Sequence, residues 1–298
     1  PSDQPTGVPT NQPSTQPTSQ PSAQPSGMPT NQPSSQPTGQ PTGIPTSQPS
    51  VQPSSVPTGQ PSSSPTTYLA EATGILHTFC VSVGCDKNSK FSSWNFTKIG
   101  VEYQSPVCTS TGTTWYGVSC TDYMLDGNYH VTGIELPDSN LYGTIPSAIG
   151  RLTLLSNLDL SNNNFLSSLP DTIQYLHNIE VLKLANNSLN GTFGSVFSNE
   201  NYVKLKTLDV SNNAFRGDIA RTTLNKFPSL SIVRLGDNNF YGDLPYDIGY
   251  QLTALKEVVL NDNSFTGTLP NSLGNLMDIE LIDLHHNFFT GMLDFCNL

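Results

Sequence analysis

The residues best equipped for chemistry in this 298-residue chain are an adjacent imidazole pair, a set of turn carboxylates and a recurring charged column. His285 and His286 carry the donors that transition metals prefer. On a strand, however, consecutive side chains point to opposite faces, so the pair is not expected to form a two-imidazole ligand set. Asp237, Asp262 and their neighbours offer oxygens of the kind Ca²⁺ takes. They recur at a turn, where Asp is favoured for local hydrogen bonding, and neither a metal nor a cofactor is expected. The charged column reads Glu135, Asp159, Lys183, Asp209, Arg234 and Asp283, with Glu257 and His285 flanking it. Mixed charges of this kind suit recognition of a polar protein, peptide or glycan surface; they also serve simply to solvate a sheet. No G-x-S-x-G, H-E-x-x-H, Walker or G-x-G-x-x-G sequence occurs, and no nucleophile with a base and an orienting partner can be named. The chain reads as a binding protein without catalytic residues.

The elements that position the charged column show as an internal repeat. Apolar pairs recur as Ile134–Leu136, Leu158–Leu160, Leu182–Leu184, Leu208–Val210, Val233–Leu235, Val258–Leu260 and Ile282–Leu284, at intervals of 24 to 26 residues. Each pair is a short strand with one apolar face, which a single strand cannot bury. Stacked turns bury it continuously, giving a solenoid with a parallel sheet. An Asn follows each strand, at Asn163, Asn187, Asn213, Asn238, Asn263 and Asn287, with Ser139 in the first repeat. An amide both donates and accepts, so this column is expected to bridge backbone groups of adjacent turns. Two residues further on stand Leu141, Phe165, Leu189, Phe215, Phe240, Phe265 and Phe289, expected to stack inside the solenoid. The side chains between the core leucines point outward, so the charged column is expected to line one face roughly 30 Å long at a strand spacing of about 4.8 Å.

Before the repeats the composition changes sharply. Proline stands at every fourth position from Pro1 to Pro65, each followed by Ser or Thr. This segment holds too little apolar surface to offset its ordering entropy, so residues 1–66 are expected to be a disordered, extended stalk. Residues 67–130 and 131–298 have globular composition and are expected to form a cap and seven repeats. The formal net charge of −11 falls almost wholly there, which disfavours nucleic acid and anionic membrane surfaces as partners. Cys80, Cys85, Cys108 and Cys120 cluster without zinc-like spacing, which favours disulfides and an oxidising compartment. Sequons at Asn95, Asn186 and Asn190 agree with that. The chain starts without Met and stops two residues after Cys296. Both ends are therefore expected to be cut, and any membrane anchor is expected to lie outside them.

The repeat pattern resembles the plant-type leucine-rich repeats of receptor-like kinases, receptor-like proteins and polygalacturonase-inhibiting proteins. Its mark is the second half of the repeat, G-x-[IL]-P, seen at Gly143–Pro146, Gly242–Pro245 and Gly267–Pro270. The segment ahead of the repeats is similar to the cap of that family. A helical stripe of Leu69, Ala72, Ile75, Leu76 and Phe79 precedes Phe91–Trp94 and then Trp115–Cys120. The resemblance implies an α/β solenoid, a right-handed curved superhelix with its parallel sheet on the concave face. It implies a Cys108–Cys120 disulfide, which leaves Cys80–Cys85 as a local bridge, and makes Cys296 the first cysteine of a C-terminal cap. The stalk resembles that of leucine-rich-repeat surface proteins of diatoms and related algae. Together these imply a secreted, cell-wall or cell-surface recognition module, receptor-like, for a protein, peptide or polysaccharide. A structural wall or matrix protein and a secreted hydrolase inhibitor are the alternatives.

Overall fold

The computed structural model describes residues 66–96, 98–99, 102–103, 107–113, 115–125, 127–197, 202–218 and 223–291. The chain divides into two units, Pro1–Thr58 and Gly59–Leu298, and every described residue lies in the second. The expected stalk, apart from Thr66, and Cys296 are outside the described residues, as is the side chain of Leu69.

Helix α1 (Thr66–Val83) opens the cap. It buries Ala72, Ile75, Leu76, Phe79, Cys80 and Val83, the three-and-four spacing of one helical face. Cys80 bonds Cys85 just past the helix end, and Cys108 bonds Cys120, with Cα atoms 4.9 and 5.8 Å apart. Trp94 stacks on Trp115 at 5.3 Å between centroids, and its indole N–H donates to the Tyr116 carbonyl at 2.9 Å. Two short strands, β1 (Lys98–Ile99) and β2 (Glu102–Tyr103), pair antiparallel. Strand β3 (Val118–Cys120) then carries the second cysteine into the sheet of the repeats. Gly117 has φ +69°, and a Cβ there would collide with the Glu135 carbonyl oxygen, so only glycine lets β3 approach so closely.

Each repeat next gives one strand to each of two sheets. In chain order these are β4 (Val131–Glu135) and β5 (Tyr142–Gly143), β6 (Asn157–Asp159) and β7 (Asn164–Ser168), and β8 (Val181–Lys183) and β9 (Ser188–Thr192). They continue as β10 (Thr207–Asp209) and β11 (Ala214–Asp218), β12 (Ile232–Arg234) and β13 (Asn239–Asp243), β14 (Glu257–Val259) and β15 (Ser264–Thr266), and finally β16 (Leu281–Asp283). The long sheet runs β16-β14-β12-β10-β8-β6-β4-β3, parallel throughout except that β3 opposes β4. The second sheet is β15-β13-β11-β9-β7-β5, also parallel. Short helical segments close the turns at Ser147–Arg151, Asp171–Tyr175, Phe193–Phe197, Leu224–Lys226, Ile248–Gln251 and Asn271–Asn275. Pro146, Pro170 and Pro270 stand extended immediately before three of them. Having no N–H to leave unpaired, proline suits the entry to such a turn.

The core is the continuous interior of these turns. The paired apolar residues of β4 to β14 are buried, among them Leu158, Leu182, Leu208, Val233 and Val258. Each such side chain stabilises the fold by roughly 1.5–3 kcal/mol relative to exposure. Phe215, Phe240, Phe265 and Phe289 form one stack, with centroids 6.5, 6.4 and 6.0 Å apart and planes within 19° of parallel. The Asn column forms the ladder its chemistry allows. Asn213 Nδ2 donates to the Leu184 carbonyl of the preceding turn at 2.9 Å and to Val210 and Ser211 of its own, while its Oδ1 accepts from the Leu189 N–H. Asn163, Asn187, Asn238, Asn263 and Asn287 repeat that pattern one turn at a time. The orphan backbone groups at each bend are thereby satisfied without water.

Candidate functional site: the polar face of the long sheet

The parallel register sets the charged column in one row. Glu135 lies beside Asp159, Asp159 beside Lys183, Lys183 beside Asp209, and Asp209 beside Arg234. Val259 and Asp283 complete the row. Unequal repeat lengths do not disturb this, because the extra residues fall outside the strands. Across the row, opposite charges meet. Lys183 Nζ is 3.7 Å from Asp159, and Arg234 Nη1 is 3.4 Å from Asp209. The Arg234 guanidinium also donates in a fork to Glu257, at 2.8 and 2.7 Å. That hydrogen bonding, with the nearby carboxylate charges of Glu257 and Asp209, holds Arg234 above its ordinary pKa against a smaller opposing effect of burial. Asp159 and Asp209 further accept from Ser161 and Ser211 at 2.6 and 2.7 Å.

These contacts tie the row down laterally along the sheet. Asp209 is only 9% exposed, so it works as a buried counter-ion that positions Arg234. Glu135 is the opposite case, exposed at the cap end of the row with, among the described residues, a long contact from Asn157 Nδ2. Among Glu135, Asp159, Lys183, Asp209, Arg234, Glu257 and Asp283, five carboxylates face two cations, a local balance of −3.

The turn carboxylates Asp237 and Asp262 belong to a longer outer column. Asp138, Asn162, Asn186, Asn212, Asp237, Asp262 and His286 all have φ between 50° and 56°. Each immediately precedes the Ser or Asn of the ladder, and the left-handed backbone throws its side chain outward. Asn186 Nδ2 donates to Asn162 Oδ1 and Asn212 Nδ2 to Asn186 Oδ1, both at 2.6 Å, an outer amide ladder parallel to the inner one. The signal was present: Asn and Asp, the residues that tolerate this conformation best, fill six of the seven positions. Asn186 is also a sequon residue, exposed like Asn95 in the cap and Asn190 in β9.

The same backbone places His285 and His286 outside the reach of strand alternation. Strand β16 ends at Asp283, and His286 is left-handed at φ +52°, so strand alternation no longer governs where the two rings point. Both turn to Asp262 of the preceding turn. His286 Nδ1 lies 2.7 Å from one carboxylate oxygen and His285 Nε2 3.3 Å from the other. His285 Nδ1 is 2.5 Å from Asp283, a bond that raises its pKa above 6.5, with the charges of Asp283, Asp262 and Asp237 adding to it and burial opposing. Asp262 is held below the usual carboxylate range, first by the hydrogen bond from Asn261 and then by that with His286. Asp237 receives only a 3.4 Å contact from Asn261 in this region.

Stacked parallel turns, an Asn ladder, a ring column and a disulfide-bonded helical cap define a leucine-rich-repeat solenoid. Residues 154–176 and 254–276 match the Leucine Rich Repeat family, and residues 1–34 match the family described as PT disordered repeat. No curated protein matches this sequence. Similar solved structures include the crystal structure of PEPR1-AtPEP1, at 26% identity and TM-score 0.61, covering 74% of this chain and 29% of that one. The ectodomain of the plant membrane receptor kinase GASSHO1/SCHENGEN3 from Arabidopsis thaliana is also 26% identical, with TM-score 0.61, covering 73% of this chain and 24% of that one. The plant peptide hormone receptor RGFR1 is 28% identical, with TM-score 0.53, covering 60% of this chain and 30% of that one. The chain thus spans less than a third of each of these structures' length. Among the described residues, no helix is long and apolar enough to cross a membrane.

Proposed function

We propose that the chain is an extracellular recognition module that binds an extended peptide, or an extended segment of a protein, of basic character along the polar face of the long sheet. The observation that carries this reading is the in-register row from Glu135 to Asp283, net acidic and fixed in place by lateral ion pairs. Pairing within the row pre-orders the side chains, which lowers the entropy a ligand must overcome. The carboxylates left over attract a cationic partner and steer its approach. A face on the order of 30 Å long suits an extended peptide. Two of the similar structures are complexes, one of a plant membrane receptor kinase ectodomain with CASPARIAN STRIP INTEGRITY FACTOR 2 and one of a plant peptide hormone receptor with RGF2. Two disulfides in the cap fit an oxidising compartment. In this reading residues 67–130 cap the solenoid, residues 131–298 carry the binding face, and residues 1–66 are a spacer.

Selection of a displayed random-peptide library on the chain tests this. Enrichment of Lys- and Arg-containing peptides is expected, with binding reduced at least tenfold by Glu135→Lys combined with Val259→Lys. Both positions lie on the row outside its buried pairs, so folding should survive. Undiminished binding by that double variant moves the site off this face.

A further inference from the structure

We propose that Asp262, His285 and His286 form a binding site for a divalent metal ion of the zinc class, clipping the last two described turns together. One ligand atom from each residue lies within 4.8 Å of the others. His285 Nε2 and Asp262 Oδ2 are already 3.3 Å apart, and His286 Nδ1 and Asp262 Oδ1 2.7 Å. Metal bonds of about 2.0–2.1 Å in tetrahedral geometry need donors roughly 3.3 Å apart, so small rotations of exposed rings complete the set.

Three features beyond proximity point to a metal. The first is the tautomer. Asp283 lies 2.5 Å from His285 Nδ1, and in the tautomer protonated there it accepts the N–H hydrogen bond and leaves Nε2, 3.3 Å from Asp262, as the ligating nitrogen. A carboxylate behind a ligating imidazole is the usual outer support of a zinc histidine. The second is preorganisation. The Asp262 N–H donates to the His285 carbonyl at 3.1 Å and the Asn263 N–H to the His286 carbonyl at 3.3 Å, so the backbone of two turns locks the donors in register. The third is placement. The equivalent pairs in earlier turns are Pro137–Asp138, Ser161–Asn162, Ala185–Asn186, Ser211–Asn212, Gly236–Asp237 and Asn261–Asp262. Two imidazoles occur in one turn, directly above the turn whose left-handed residue is a carboxylate.

Two nitrogens and one carboxylate favour Zn²⁺, Co²⁺, Ni²⁺ or Cu²⁺ over Ca²⁺ and Mg²⁺, which take oxygen shells. On binding, the metal takes the lone pairs of His285 Nε2 and His286 Nδ1 and one Asp262 oxygen, and any proton on those nitrogens passes to solvent. Solvent or a partner's carboxylate fills the outward position. The site does not depend on the peptide reading, and neither Glu135 nor Val259 is among its donors.

Calorimetric titration of the whole chain with ZnCl₂, and CoCl₂ titration followed by visible absorption, test the site. One Zn²⁺ per chain is expected, with Co²⁺ giving the visible bands of nitrogen and oxygen coordination. Combining His285→Ala with His286→Ala should abolish both signals while the circular dichroism spectrum stays unchanged. Asp283→Asn, which leaves every donor in place, should weaken Zn²⁺ about tenfold or more. Cys296→Ser should change nothing. Zn²⁺ binding that survives loss of both imidazoles, that vanishes with Cys296→Ser, or that CaCl₂ matches in affinity overturns the assignment, as does no binding at micromolar Zn²⁺.

Discussion

The middle of the solenoid and its last described turn are built from the same repeat, yet they behave as different materials. Around β10 and β12 every apolar pair is buried, Phe215 and Phe240 are sealed, and each Asn amide has a turn on both sides. At β16 Leu281 is 46% exposed, Ile282, Leu284 and Phe289 are half-buried, and His285 and His286 stand in solvent. A residue in a stacked array is buried by its neighbours rather than by its own turn. The difference between the regions is therefore one of position, and identical side chains should contribute unequally along the array.

The largest test of that contrast is the ring column. Phe240→Ala should destabilise the fold by about 3–5 kcal/mol, the range for a sealed aromatic, and Phe289→Ala by clearly less, both read from chemical denaturation. Equal losses would show the last turn to be packed like the middle. Next come the amides. Asn238→Ala orphans backbone groups of two turns, each worth about 1–3 kcal/mol, and should lower Tm more than Asn287→Ala, whose surroundings are wetter. A smaller effect concerns the row itself: Lys183→Ala breaks a 3.7 Å pair with an exposed ammonium and should shift stability by less than about 1 kcal/mol, leaving its consequence to binding. The smallest is a titration. His285 should titrate by NMR above 6.5, because the protonated ring is favoured by Asp283 and, through charge, by Asp262 and Asp237. Asp283→Asn should bring it back toward 6.5. With a raised folded value, whatever His285 contributes to stability is present in full below pH 6.5 and fades as pH rises through the folded value.

Periodicity made the middle of the molecule legible. Leu208, Asn213 and Phe215 each do what their column does, so a single spacing rule places them and says what they touch. The row on the sheet was legible as a row because strand alternation is local. Its pairing was not: that Arg234 forks onto Glu257 while also neutralising a nearly buried Asp209 depends on register across three turns and on side-chain reach. Beyond the turn carboxylates Asp237 and Asp262, the outer column was hidden for another reason. Asn186 and His286 lie one residue before the inner ladder, and only a left-handed backbone tells an outward side chain from an inward one. Strand alternation does not extend to His285 and His286, which lie past the end of β16.

Strand β3 has one more consequence. It runs against β4 and presents the cap to the first turn, so that edge offers no register for another repeat of the same direction. The array has a polarity of growth: turns can be gained or lost between existing turns, but not at the cap. Any site carried near β16 would shift outward with each added turn while the cap and the start of the row stayed fixed.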